Sequence, residues 1–139
     1  MSKFKVPVEE FTTPDPVTST EDANVDELLR LMKENGIRHL PILRREQVVG
    51  VISERDLKVI AGLDFKEKSL LRASDIMATD PVSVSSETPL DEVAFEMSNK
   101  KIGSVIVNEG NSFLGIFTVT DALNALIEIA REEQLSADT

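Results

Sequence analysis

With 25 acidic against 15 basic side chains, this chain of 139 residues carries a net charge of −10 and a sequence pI near 4.6, a surface that repels the nucleic-acid backbone. It has no cysteine, which removes disulfides, thiolate zinc sites and cysteine nucleophiles. No run of about 18 apolar residues exists and residues 1–11 lack a signal-like apolar segment, so the expectation is a soluble cytoplasmic protein without a membrane span.

In chain order, Asp15-Pro16-Val17-Thr18 opens an extended segment, because proline biases its predecessor away from helix. Val25, Leu28, Leu29 and Met32 recur at helical spacing, with Asn24 and Glu27 as start signals and Asn35-Gly36 as the stop. Apolar runs over 37–43 and 48–53 predict two strands joined by the polar connector Arg44-Arg45-Glu46-Gln47, and a helix begins near Ser53. Residues 62–69 read as a polar join apart from Leu63 and Phe65, and 70–77 as a short helical turn. The pattern then returns. Leu90, Val93, Ala94 and Met97 mark a helix that Thr88, Pro89 and Asp91 are expected to start, with Lys100-Lys101 suiting its negative end. Strands over 102–107 and 113–118 follow, then a helix over 120–133 with apolar positions at Leu123, Leu126, Ile127 and Ala130.

The return is a duplication. A shift of 65 residues lays 8–61 on 73–126 without a gap, with identities at Asp15/Asp80, Pro16/Pro81, Val17/Val82, Asp26/Asp91, Glu27/Glu92, Met32/Met97, Ile37/Ile102, Gly50/Gly115 and Asp56/Asp121. Chemistry matches elsewhere too: Leu40/Val105, Ile42/Val107 and Ile52/Phe117 keep apolar on apolar, and Ser53/Thr118 keeps a hydroxyl. Each hydroxyl-x-x-aspartate element, Ser53 to Asp56 and Thr118 to Asp121, falls where a strand enters a helix. Exposed amides and the helix dipole there attract anions. The same spacing is an ordinary capping box, and the two uses are compatible.

The ordered sets Asp15-Pro16-Val17-Thr18, Ile37-Arg38-His39-Leu40-Pro41-Ile42 and Gly50-Val51-Ile52-Ser53-Glu54-Arg55-Asp56-Leu57 resemble one CBS (cystathionine-β-synthase) domain. Asp75-Ile76-Met77-Ala78-Thr79-Asp80-Pro81-Val82 and Gly115-Ile116-Phe117-Thr118-Val119-Thr120-Asp121 resemble a second. The resemblance implies an α+β fold of two βαββα repeats, 1–69 and 70–139, packed sheet to sheet about a pseudo-twofold axis with two clefts. It implies a stand-alone Bateman module that senses an adenine nucleotide (AMP, ADP or ATP in preference to S-adenosylmethionine), needs no cofactor, forms a homodimer and acts on an effector protein. The alternative is a degenerate pair that serves only as a structural or dimerising module.

Carried over residue by residue, the resemblance gives Asp121 the ribose hydroxyls and Thr118, with Thr120 beside it, the phosphate. Arg38 and His39, from the strand that holds Pro41, would face that pair and supply positive charge. Ser53 and Asp56 would form the second cleft opposite Gly103 and Ser104, which carry no charge, with Lys100, Lys101 and Arg55 near in sequence to compensate; the Asp121 cleft is the expected main site. Val17, Ile37, Val82 and Ile102 would wall in the purine, and Thr13 and Thr79 would meet its edge through backbone groups. His39 is the one histidine, so no second histidine or cysteine could share a metal ion. Nucleotide-hydrolase, serine-hydrolase and metal-spaced motifs do not occur, and an enzyme is not expected.

Overall fold

A computed structural model of the chain describes residues 3–138; residues 1, 2 and 139 lie outside it. After 3-10 turns at Lys3–Lys5 and Val8–Phe11 come β1 (Thr13–Pro14), β2 (Ser19–Thr20), α1 (Val25–Asn35), β3 (His39–Arg44), β4 (Gln47–Ser53) and α2 (Glu54–Ala61). There follow α3 (Phe65–Ser69), α4 (Ala73–Ile76), β5 (Ala78–Thr79), β6 (Ser83–Ser85), α5 (Leu90–Lys100), β7 (Ser104–Glu109), β8 (Ser112–Thr118) and α6 (Val119–Asp138). The architecture is α+β, with two four-stranded sheets ordered β2-β3-β4-β5 and β1-β8-β7-β6. They match register for register under the 65-residue shift: Ser19 opposes Ile42 as Val84 opposes Val107, and Ala78 opposes Val51 as Thr13 opposes Ile116.

Packing divides the chain differently from the repeat. One unit is Pro16–Pro81; the other joins Met1–Asp15 to Val82–Thr139. The segment ahead of each repeat closes the sheet of the other. Val8 N–H donates to the Thr88 carbonyl at 2.8 Å, and Ala73 N–H donates to the Ala23 carbonyl, its equivalent, at 2.8 Å. Val8 and Ala73 are both fully buried, each in the core of the unit it completes. The chain passes from unit to unit at Asp15-Pro16 and Asp80-Pro81, where the aspartates take φ of 43° and 51°. A following proline disfavours the right-handed helical region, and aspartate is among the few residues that tolerate the left-handed one. That double demand accounts for Asp-Pro at both crossings.

Leu28, Met32, Leu40, Ile42, Ile52 and Leu57 form the core of the Pro16–Pro81 unit; Val93, Met97, Val105, Val107, Phe117 and Ile129 form that of the other. Local signals held for α1. Asn24 accepts from the Glu27 amide at 2.9 Å, and Gly36 closes the helix at φ 61°. They did not hold for α5, where Pro89, not Thr88, is the N-cap residue and contributes no side-chain bond. The Val6 carbonyl takes the first helical amide, Leu90, at 2.8 Å, so a side-chain cap has less to do. The join over 62–69 is also more ordered than its polarity suggests, because Asp64 caps α3 by accepting from Glu67 N–H at 2.8 Å.

On α6 the buried face is Ala125 and Ile129 with Ala122 beside them, while Leu123, Leu126 and Ile127 are exposed. Small alanines let the helix lie close to the sheet, so the core-facing stripe is not the one with the largest side chains.

At the end of α5, Lys101 occupies the left-handed position that Gly36 fills after α1, with φ 57°. A side chain there costs roughly 1–2 kcal/mol, partly offset because glycine loses more chain entropy on folding. Lys101→Gly is therefore expected to stabilise the protein by about 0.5–1 kcal/mol, seen as a higher urea midpoint at unchanged slope. A lower midpoint would show that the lysine charge at the helix end outweighs the strain.

Candidate functional site

In the Pro16–Pro81 unit, β4 ends at Ser53, which stays extended (φ −96°, ψ 154°) and caps α2 by accepting from Asp56 N–H at 3.2 Å. The Arg38 carbonyl accepts from Glu54 N–H at 2.7 Å, and His39 stands opposite Ser53 across the ladder. The start of β3 is thereby fastened to the start of α2. A depression of about 450 Å³ opens there, lined by Arg38, His39, Ser53, Glu54, Arg55, Lys58 and Val59. In a chain of net charge −10, three cations gather at one hollow.

Glu54 lies 2.8 Å from Lys58, whose hydrogen bond holds the carboxyl below its ordinary pKa; Arg38 and His39 add to this. Burial, then Arg38, pushes His39 below the usual histidine value against the opposing pull of Asp56 and Glu54. The Asp56 carboxylate is exposed and accepts no hydrogen bond among the described residues.

The matching junction of the other unit is built more tightly. Asp121 Oδ2 accepts from Thr118 N–H at 2.8 Å and from Thr118 Oγ1 at 3.0 Å, while Asp121 N–H donates to Thr118 Oγ1 at 3.3 Å. This is a complete capping box. Thr13, delivered by β1, directs its hydroxyl to Asp121 Oδ1 at 3.4 Å. The Val119 amide bonds to Gly103 as the Glu54 amide bonds to Arg38. Thr120 is exposed in the first turn of α6. Ala78 stands where Thr13 would be in the first unit, so Asp56 has no equivalent hydroxyl. One frame thus carries two chemistries: cations around Ser53, and a carboxylate with hydroxyl donors around Thr118.

Val17 packs beside the core of the first unit, and Val82 and Ile102 beside that of the second. Pro41 is buried within β3. At the equivalent place Ile106 N–H donates to the Val82 carbonyl at 2.9 Å; proline has no such donor, so the Val17 carbonyl lacks that bond. Thr79 is exposed on β5 opposite Gly50. The residues that sequence reasoning left out of the site are Glu54, Lys58 and Val59; their sequence signals are the basic cluster Arg55-Lys58 in an acidic chain and the four-residue spacing of Glu54 and Lys58. Among the described residues there is no acidic, histidine or cysteine cluster fit for a metal ion, and no helix is long and apolar enough to cross a membrane.

The sequence model of the CBS domain family matches residues 8–60 and 73–128. The chain is 32% identical over 122 residues to inosine-5'-monophosphate dehydrogenase of Korarchaeum cryptofilum, an alignment covering 87% of this chain and 24% of that enzyme. It spans 45% and 48% of two Methanocaldococcus jannaschii proteins that it also matches. AcuB of Vibrio cholerae, whose name ties it to acetoin utilization, superposes with a TM-score of 0.82 at 27% identity, over 93% of this chain and 96% of that one. The CBS domain pair of protein MJ0100, solved with 5'-methylthioadenosine and S-adenosyl-L-methionine, gives a TM-score of 0.75 at 25% identity, over 86% and 94% of the two chains.

Proposed function

Because the chain belongs to the CBS domain family, we propose that it is a regulatory module that binds an adenine nucleotide and passes the state of occupancy to a partner protein or to its own oligomer. The observation that carries this reading is the pair of repeat-related strand-to-helix junctions, each with a hydroxyl and an aspartate one turn apart. The likeness to the MJ0100 pair, solved with nucleoside ligands, supports it. Arg38, Arg55 and Lys58 favour a phosphorylated ligand (AMP, ADP or ATP) over the cationic sulfonium of S-adenosylmethionine. The Val17 carbonyl, which receives no amide from Pro41, is an acceptor suited to the amino group of adenine.

A second reading has one observation in its favour. Asp121 already closes a full capping box without any ligand, as a purely structural module would require. A melting series with AMP, ADP, ATP and S-adenosylmethionine separates the two readings. A ligand at about 100 times its Kd adds roughly 2.7 kcal/mol, worth several degrees at this size. We expect the adenylates to raise the midpoint and S-adenosylmethionine to move it least. A panel without effect would leave the structural module.

A further inference from the structure

We propose that Glu54 is the resident counter-ion of the cationic depression beside α2 and sets its preference for longer phosphate chains, leaving Lys58 when such a chain binds. As a statement about nucleotide tails this rests on the reading given above; as a statement about the anion site it does not.

Three observations converge. Arg38, Arg55 and Lys58 line one hollow of about 450 Å³ in a strongly acidic chain. Two planar guanidinium forks and one ammonium suit a run of phosphate oxygens. Next, the carboxylate set into this hollow is Glu54, 2.8 Å from Lys58, with its side chain 34% exposed against 72% for the lysine. It sits where an incoming anion would meet the same cation. Finally, the charges appear together in one repeat only. Positions 38, 54, 55 and 58 correspond to Gly103, Val119, Thr120 and Leu123 in the other, none of them charged. An acid that accompanies the cations is explained if it quiets their mutual repulsion while the site is empty.

Glu54 then becomes a specificity-determining residue. Every anion that enters the hollow must break the same ion pair, but only one with several negative charges recovers more from the cations than Glu54 already supplies. Uncharged nucleosides gain nothing from the hollow and monophosphates little. Removing the carboxylate should therefore tighten binding, and tighten it most for the longest phosphate chain.

The test is calorimetric titration of the full chain, as wild type, Glu54→Gln and Lys58→Met, with inorganic tripolyphosphate, ATP and adenosine. Glu54→Gln is expected to bind tripolyphosphate and ATP about three- to tenfold more tightly, with adenosine unchanged and the gain shrinking as salt rises. Lys58→Met should weaken both anions by a similar factor. If ATP gains and tripolyphosphate does not bind, the inference stands and the anion is a nucleotide tail. If tripolyphosphate gains while neither ATP nor adenosine binds, the anion site stands and the nucleotide reading falls. If ATP binds wild type and Glu54→Gln equally, the counter-ion role is wrong while the nucleotide reading survives. Absence of binding by both anions overturns the site.

Discussion

Asp121→Ala is expected to lower the affinity for adenosine nucleotides by about ten- to a hundredfold and to erase any preference for ribose over 2'-deoxyribose. The capping geometry would let a single carboxylate serve both cap and sugar. Oδ2 is saturated, since it accepts from both the amide and the hydroxyl of Thr118. Oδ1 holds only the long 3.4 Å contact from Thr13, so its lone pairs are open to a vicinal diol. Loss of the cap should cost about 1 kcal/mol, too little to unfold the domain, so binding and stability separate in one variant.

Asp121→Asn sharpens the test. An amide has one acceptor oxygen. If it caps Thr118, the side chain presents N–H donors to the sugar; if it faces the sugar, the cap fails. We expect the asparagine variant to melt close to wild type yet lose ribose discrimination like the alanine variant. Asp56→Ala is the companion variant: that carboxylate is exposed and caps nothing, so any change in affinity there reports the first unit's junction with no loss of a cap. Titrations in which Asp121→Ala binds ATP and 2'-deoxy-ATP with unchanged constants would remove Asp121 from the binding site.

What could be read from the sequence was whatever is encoded within one turn of chain. Asn24, Glu27 and Gly36 are local signals, and α1 begins and ends where they fall. The apolar runs of β3, β4, β7 and β8 show their strands for the same reason. The two-residue strands β1 and β5 carry no periodicity at all, and their exchange between units depends on partners far along the chain. Nothing local distinguishes a segment that closes its own repeat from one that closes a near-copy. The site divides the same way. Hydroxyl-x-x-aspartate is visible as spacing, whereas the contact of Thr13 with Asp121 spans 108 positions and is not. Glu54 was hidden for another reason: an acidic residue paired one turn away looks like any solvated helix face until a cavity is found beneath it.

The exchange also explains an identity that the repeat leaves unexplained, Gly50 with Gly115, and predicts unequal costs for losing them. A Cβ on Gly115 would land on the backbone carbonyl of Thr13, which cannot yield unless β1 leaves the sheet. A Cβ on Gly50 would meet Met77, 2.5 Å from its sulfur and 2.9 Å from its own Cβ; the thioether end can swing aside, although the base of the side chain cannot move far. Gly115→Ala is therefore expected to destabilise by about 2–3 kcal/mol and Gly50→Ala by roughly half as much, read from urea midpoints. The larger loss should be accompanied by faster exchange of the Asp15 amide, which donates to the Leu114 carbonyl at 3.3 Å and reports whether β1 is seated. Displacing β1 also takes Thr13 away from Asp121, so ligand affinity should change with Gly115→Ala and hold with Gly50→Ala. Equal midpoints for the two variants, with the Asp15 amide still protected in both, would mean that close backbone approach is not what demands glycine at these positions.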